Sequence, residues 1–168
     1  MHESSQSGSN SVGWGIVGFH RGREVLPERG GLGCRAEVYD AELKGISKAI
    51  SAATKFTKTK QQVKHTHIFA DNTAVVKSAY EPKTKPGQAH MVMVTNTIDR
   101  FLEEEDGRSV SIEWCPGHEE VKGNKRADKE AKEGTEFWTP EYTTYTNTKR
   151  RAKEVTLERW AMHWQKAP

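Results

Sequence analysis

Apolar residues in this chain change period as the sequence advances, and that change restricts the fold more than any other feature. In VGWGIVGF, Val12, Trp14 and Ile16 alternate with glycine and are followed by Val17 and Phe19. This is a strand pattern whose glycines mark places where the backbone bends or is approached closely. HRGREV predicts a turn into a second strand that ends near Leu26 or beyond. Between Ala36 and Lys55 the period lengthens. Tyr39, Leu43, Ile46, Ile50 and Ala53 recur every four, three, four and three residues, which is one face of a helix. HTHIFAD then reads as a strand stopping at Asp71, and NTAVVKSAY as a short helix. EPKTKPGQA is a loop. Met91, Val94, Ile98, Phe101 and Leu102 mark another amphipathic helix, closed by Asp106-Gly107. Val110, Ile112 and Trp114 alternate as a strand, and Asn124 to Glu133 form a helix closed by Gly134. Strands interleaved with helices in this order predict a layered α/β domain. No internal repeat interrupts it.

A length of 168 residues suits a single domain with a short extension. With 34% hydrophobic and 29% charged residues, solvated charged segments are expected at its ends. The net charge of +3 does not by itself establish a nucleic-acid partner. The distribution says more: from Lys149 to Pro168 six cations face two acids, a local balance of +4. The two cysteines, Cys34 and Cys115, make no disulfide framework, and nothing resembles a signal peptide, so the chain reads as intracellular. No apolar run approaches the ~20 residues that span a bilayer, so no membrane partner is expected. The expected organisation is a polar N-terminal remnant (1–11), a domain (12–136), a linker (137–148) and a basic C-terminal helix (149–168). Ala152, Val155, Leu157, Trp160 and Trp164 are read as the apolar stripe of that helix.

Three carboxylates stand out by position. Glu42 lies beside the apolar face of the first long helix. Asp71 closes a strand, and in open α/β sheets sites gather at the carboxyl ends of strands. Asp128 lies on a helix next to Ala127 and Ala131, which are small enough for close approach to a sheet. Such carboxylates suit hard cations, because Mg²⁺ and Mn²⁺ take oxygen ligands. Two such ions ~3.5–4 Å apart can activate water and stabilise a leaving oxygen in phosphodiester hydrolysis. Each residue taken alone has a plainer reading. Asp71 before Asn-Thr-Ala could be a helix N-cap. Glu42 could be a solvated helix residue, Asp128 one more charge in KRADKEAKE, and His118 an ordinary loop histidine. Cys115-x-x-His118 has no second pair of zinc spacing. His65 and His67 share one strand face as structural or exposed groups.

Three blocks, in order, resemble a type 1 ribonuclease H domain of a retroelement reverse transcriptase, fungal non-LTR type. VYDAELKGISKAI is similar to the family's first helix with its Ala-Glu-Leu. HIFADNTAVVKS is similar to the strand ending in Asp followed by Asn or Ser. WCPGHEEVKGNKRADKEA, the most specific, is similar to Trp-x-Pro-Gly-His followed by Gly-Asn-x-x-Ala-Asp. The tail KRRAKEVTLERWAMHW also resembles the segment that follows this domain in such elements. The resemblance implies a ribonuclease H-like α/β fold, a mixed central sheet flanked by helices. It implies endonucleolytic hydrolysis of the RNA strand of RNA–DNA hybrids with two Mg²⁺ or Mn²⁺ ions. A parent polyprotein or reverse transcriptase is the implied protein partner. Glu42, Asp71 and Asp128 would be three of four metal-binding carboxylates. His118 would sit on a loop beside the site, assisting water delivery or product release.

The family's first carboxylate is the Asp of an Asp-Gly-Ser at the end of its first strand. Here the comparable stretch is HESSQSG, which puts Glu3 where that Asp stands on an incomplete, N-terminally truncated first strand. Glu is one methylene longer, and misplacement by about 1 Å can lower a rate ~10²-fold. In the family this strand is central, and each buried backbone group left without a partner costs ~1–3 kcal/mol. A second expectation is therefore a catalytically impaired nucleic-acid-binding remnant, contacting phosphates through Lys55–Lys64, Lys83–Lys85 and Lys149–Lys153. A third is that the Trp160/Trp164 helix docks on a partner protein.

Overall fold

The structure, a computed structural model, describes residues 11–60, 62–81, 83, 87–117, 121–137, 139 and 143–165. The polar N-terminal remnant, including Glu3, lies outside the described residues. So does His118. The chain runs through β1 (Val12–Ile16), β2 (Phe19–His20), β3 (Arg23–Glu24), β4 (Glu28–Gly33), α1 (Val38–Thr59), β5 (His65–Ala70), α2 (Thr73–Tyr80), α3 (Gln88–Glu103), β6 (Ser109–Trp114), α4 (Lys122–Gly134) and α5 (Tyr145–Gln165). The α/β class expected from the alternating periods is present. The first strand, read as running to Phe19, ends at Ile16, and the region read as a turn into a second strand ending near Leu26 or beyond holds β2, β3 and then β4. Among the described residues the strands form separate two-stranded ladders: β1 with β4 antiparallel, β2 with β3 antiparallel, and β5 with β6 parallel. Strands of both directions are therefore present, but the described ones do not join into one continuous sheet.

Helix α1 bridges the halves. Its Leu43, Ile46 and Ile50 pack with Ile68 of β5, Ile112 of β6, Val75 and Val76 of α2, and Met91 and Val94 of α3. Its Ala41 and Ala52 join a second cluster with Trp14, Ile16, Leu32 and Ala36, and Ala49 touches both clusters. The four-three spacing read from the sequence thus describes only the larger of two buried faces. Small residues supply the other, because β1 lies close to the helix.

The glycines of β1 have a packing reason. A Cβ at Gly13 would lie 2.2 Å from the Ala131 carbonyl oxygen, and one at Gly15 2.3 Å from the Ala131 nitrogen. Helix α4 therefore rests on bare β1 backbone, with Ala127 and Ala131 at the contact. Ion pairs hold it there: Arg29 of β4 lies 3.0 Å from the buried Glu130, which also pairs with Arg126, and Arg126 lies 3.0 Å from Glu24 of β3.

Helix α5 starts before the position read from the sequence, and its root is fixed to the start of α1. The Thr144 and Thr146 hydroxyls donate to the buried Asp40 carboxylate at 2.7 and 2.8 Å. The Asn147 amide and the Arg150 guanidinium donate to Glu37 at 2.8 and 2.7 Å. Arg150 holds the Glu37 carboxyl below its ordinary range. The expected apolar stripe on α5 is corrected. Only Asn147 of this helix is buried, and its apolar residues spread around the axis instead of lining one face. No helix among the described residues is long and apolar enough to cross a membrane.

Gly15→Ala is expected to destabilise the chain by about 1–3 kcal/mol, because the added methyl has only backbone of α4 to displace. Gly123→Ala, whose Cβ would meet only Phe19 at an ordinary 3.6 Å, is the neutral or stabilising control. Urea titration of the two variants beside the parent reads both effects.

Candidate active site

The parallel strands β5 and β6 end side by side. Ala70 faces Trp114 in register, and the Cys115 amide continues the pairing by donating to the Ala70 carbonyl at 3.0 Å. Asp71 follows β5 directly and is exposed. The reading of Asp71 as a helix N-cap is overturned. Asn72 is the N-cap of α2, and its side-chain oxygen accepts from the Ala74 and Val75 amides at 2.9 and 3.3 Å. A neighbour thus satisfies the helix end, and the Asp71 carboxylate is left for other work.

The segment after β6 closes over Asp71. The Trp114 indole donates to the Asp71 carbonyl at 3.0 Å. A Cβ at Gly117 would stand 2.8 Å from Oδ2 of Asp71, so only glycine lets the loop come this near. The Asn124 amide of α4 donates to Oδ2 of Asp71 and to the Gly117 carbonyl, both at 3.3 Å. Asn124, Asn72, Trp114 and Gly117 were not singled out as site residues from the sequence. Asn124 and Gly117 did carry a signal, since both belong to the Pro-Gly-His and Gly-Asn-x-x-Ala-Asp block.

Glu42 is half-buried on α1. Its Oε2 is buried with no hydrogen-bond partner. Burial first, and then the negative charge of Asp71, push its carboxyl up from 4.5 to about 7, while the Asn72 amide pulls the other way. The solvated-residue reading of Glu42 is thus replaced by a carboxyl under strain from its surroundings. An orphaned oxygen facing a second carboxylate is the chemistry a hard divalent cation relieves, because the ion supplies the missing partner and cancels the repulsion. Glu42 and Asp71 therefore fit a divalent cation.

Asp128 is exposed on α4. It lies four residues beyond Asn124, so both project from one helix face, neighbours at about 5–6 Å. The structure thus sets Glu42 within electrostatic reach of Asp71, and Asp128 lies one helical turn beyond the Asn124 that meets Asp71. Among the described residues no group of three His, Cys, Asp or Glu side chains is arranged to hold a metal. Cys115 is buried, and burial followed by the Asp71 charge raises its thiol above the usual range, so it stays protonated. His65 and His67 are exposed and meet Ser109 and Ser111 across the ladder, each at 2.8 Å.

Comparison with known proteins bears on the family and the fold. A family model described as RNase H matches residues 3–136. The crystal structure of RNase H1 from the halophilic archaeon Halobacterium salinarum NRC-1 is similar in fold, with a TM-score of 0.50 and 23% sequence identity. That match covers 74% of this chain and 83% of the archaeal one. No curated protein sequence matches the chain.

A pH dependence follows from Glu42. Unfolded, it titrates near its ordinary 4.5; folded, at about 7. The fold favours the protonated form, so this contribution to stability is complete below 4.5 and is lost as pH rises through about 7. Glu42→Gln, neutral throughout, is expected to gain stability relative to the parent across that window. Denaturation at a series of pH values checks this, and an identical pH profile for both proteins would place the titration elsewhere.

Proposed function

This chain belongs to the RNase H family, and from that premise we propose that it is a divalent-metal-dependent endonuclease acting on the RNA strand of RNA–DNA hybrids. The observation that carries the reading is the Glu42–Asp71 pair at the carboxyl ends of β5 and β6, with one buried oxygen lacking a partner. We also read the domain as derived from a retroelement reverse transcriptase of fungal non-LTR type. The three motif blocks and the basic tail support that origin.

Glu42 and Asp71 would hold Mg²⁺ or Mn²⁺, with Asp128 and Glu3 the remaining candidates for a two-ion set. The bound cations supply charge stabilisation at the scissile phosphate and lower the pKa of the attacking water. The chain's own residues do the rest. Asn124 fixes the Asp71 carboxylate by donating to one oxygen, which leaves the other facing outward. Glu42, nearly half-protonated near neutrality when no cation is bound, must lose its proton when one arrives. Cation affinity is therefore expected to rise with pH through about 7. His118, next in sequence after Gly117, is the candidate for moving a proton at the phosphate or easing product release. Recognition of the hybrid over duplex DNA would use 2′-hydroxyl groups.

An end-labelled RNA–DNA hybrid incubated with Mg²⁺ or Mn²⁺ tests the proposal. The parent is expected to cut the RNA strand. Asp71→Asn is expected to lose at least about 10²-fold in rate, as misplaced or missing ligands do, while still binding the hybrid. Equal cleavage by parent and variant would remove Asp71 from the site. Binding without cleavage by both would describe a remnant that keeps only its nucleic-acid surface.

A further inference from the structure

Helix α5 lies beyond the residues matched by the family, and beyond Asn147 its residues are all exposed among the described residues. Its orientation is nevertheless set firmly. Four side chains near its start are bound to Glu37 and Asp40, and the Thr144 amide donates to the Arg35 carbonyl at 2.9 Å. Asp40 is two residues from Glu42 on the same helix, a rise of about 3 Å. The helix that carries a site carboxylate therefore also aims α5.

What α5 presents is ordered. Lys149, Lys153, Leu157, Trp160 and Trp164 follow one another at four, four, three and four residues. On a helix that spacing keeps them within an arc of roughly 80°. All are exposed, Trp160 at 60% and Trp164 at 61%, and the two indoles meet edge to face at 5.9 Å. Neither acid of the helix falls in this arc, and Glu154 is taken by Arg150.

We propose that α5 is a binding arm for single-stranded nucleic acid, Lys149 and Lys153 taking phosphates and its two tryptophans taking bases. Cations in series beside unoccupied aromatic faces are the physical requirement for that ligand, because every base has a face to stack and every nucleotide a charge. A duplex offers the phosphates but keeps its bases stacked. A second copy laid parallel would set lysines against lysines, and pairing with an antiparallel copy is one outcome of the test below. A membrane surface needs one apolar face, whereas Val155 and Met162 lie on the side opposite Trp160. The arm would hold the unpaired strand that continues from a hybrid at the Glu42–Asp71 site.

The test is equilibrium binding by the full chain without divalent cation, so it does not depend on cleavage. Labelled blunt RNA–DNA hybrid is compared with the same hybrid carrying an oligo-dT extension. The extension is expected to tighten binding about tenfold, the effect of one or two stacked bases. The Trp160→Ala/Trp164→Ala double variant should lose that gain while keeping its melting temperature and its affinity for blunt hybrid. Oligo-dT alone should quench the tryptophan fluorescence of the parent, and weaken steeply with salt. Equal affinity for both hybrids, a gain that survives in the double variant, or no quenching by oligo-dT would each overturn the proposal. So would a dimer that the double variant converts to monomer, which would make α5 a contact between copies.

Discussion

Helix α1 buries one face against β5, β6, α2 and α3 and another against β1 and β4, and every other feature of the molecule is placed by that double burial. The described strands share no common ladder, so hydrogen bonds do not hold the two halves in register. Side-chain packing along α1 does. Leu43, Ile46 and Ile50 fill the larger interface, where branched side chains have room. Alanines fill the smaller one, where β1 comes close. The same economy of volume recurs on the far side of β1. There Gly13 and Gly15 expose bare backbone to α4, and Ala127 and Ala131 accept it. Close packing of this kind leaves little freedom for α4 to slide, which keeps the Asn124–Asp128 face in place.

The candidate site grows from this arrangement by division of labour among neighbours. Asn72 caps α2, so Asp71 need not. Gly117 and Asn124 close on Asp71 from the loop and from α4. Glu42 enters from α1 with a buried oxygen that nothing among the described residues satisfies. Polar atoms without partners are expensive inside a protein, and two carboxylates facing one another add repulsion. The site therefore carries an electrostatic tension that a bound divalent cation would release. That tension, more than any single residue, is what separates this pocket from an ordinary surface with acids on it.

The class of fold was legible because hydrophobic period depends on local geometry alone: two for a pleated strand, 3.6 for a helix. Glu42, Asp71 and Asp128 were legible as candidates because the motif blocks around them are specific. Other features were hidden by the same locality. Asn124 belonged to a motif in the sequence, but only the fold sets its amide on Asp71, 53 residues away in sequence. The division of the stretch after Ile16 into β2, β3 and β4 could not be read from FHRGREVLPERG, whose polar residues suit a turn, an edge or a loop equally. The apolar residues of α5 suggested a stripe when counted, yet wound around an axis they separate into different faces.

The sequence by itself determined the alternation of elements, the small residues where backbones meet, and the carboxylates able to bind a hard cation. Those properties follow from side-chain size, polarity and spacing, which need no knowledge of distant partners. Only the tertiary structure decided that Asn72 relieves Asp71 of capping, that one oxygen of Glu42 is buried without a partner among the described residues, and that α5 is pinned at its root with its tryptophans in water. Each of these depends on which segments far apart in the chain are brought within a few ångströms, and burial and electrostatics are properties of that meeting.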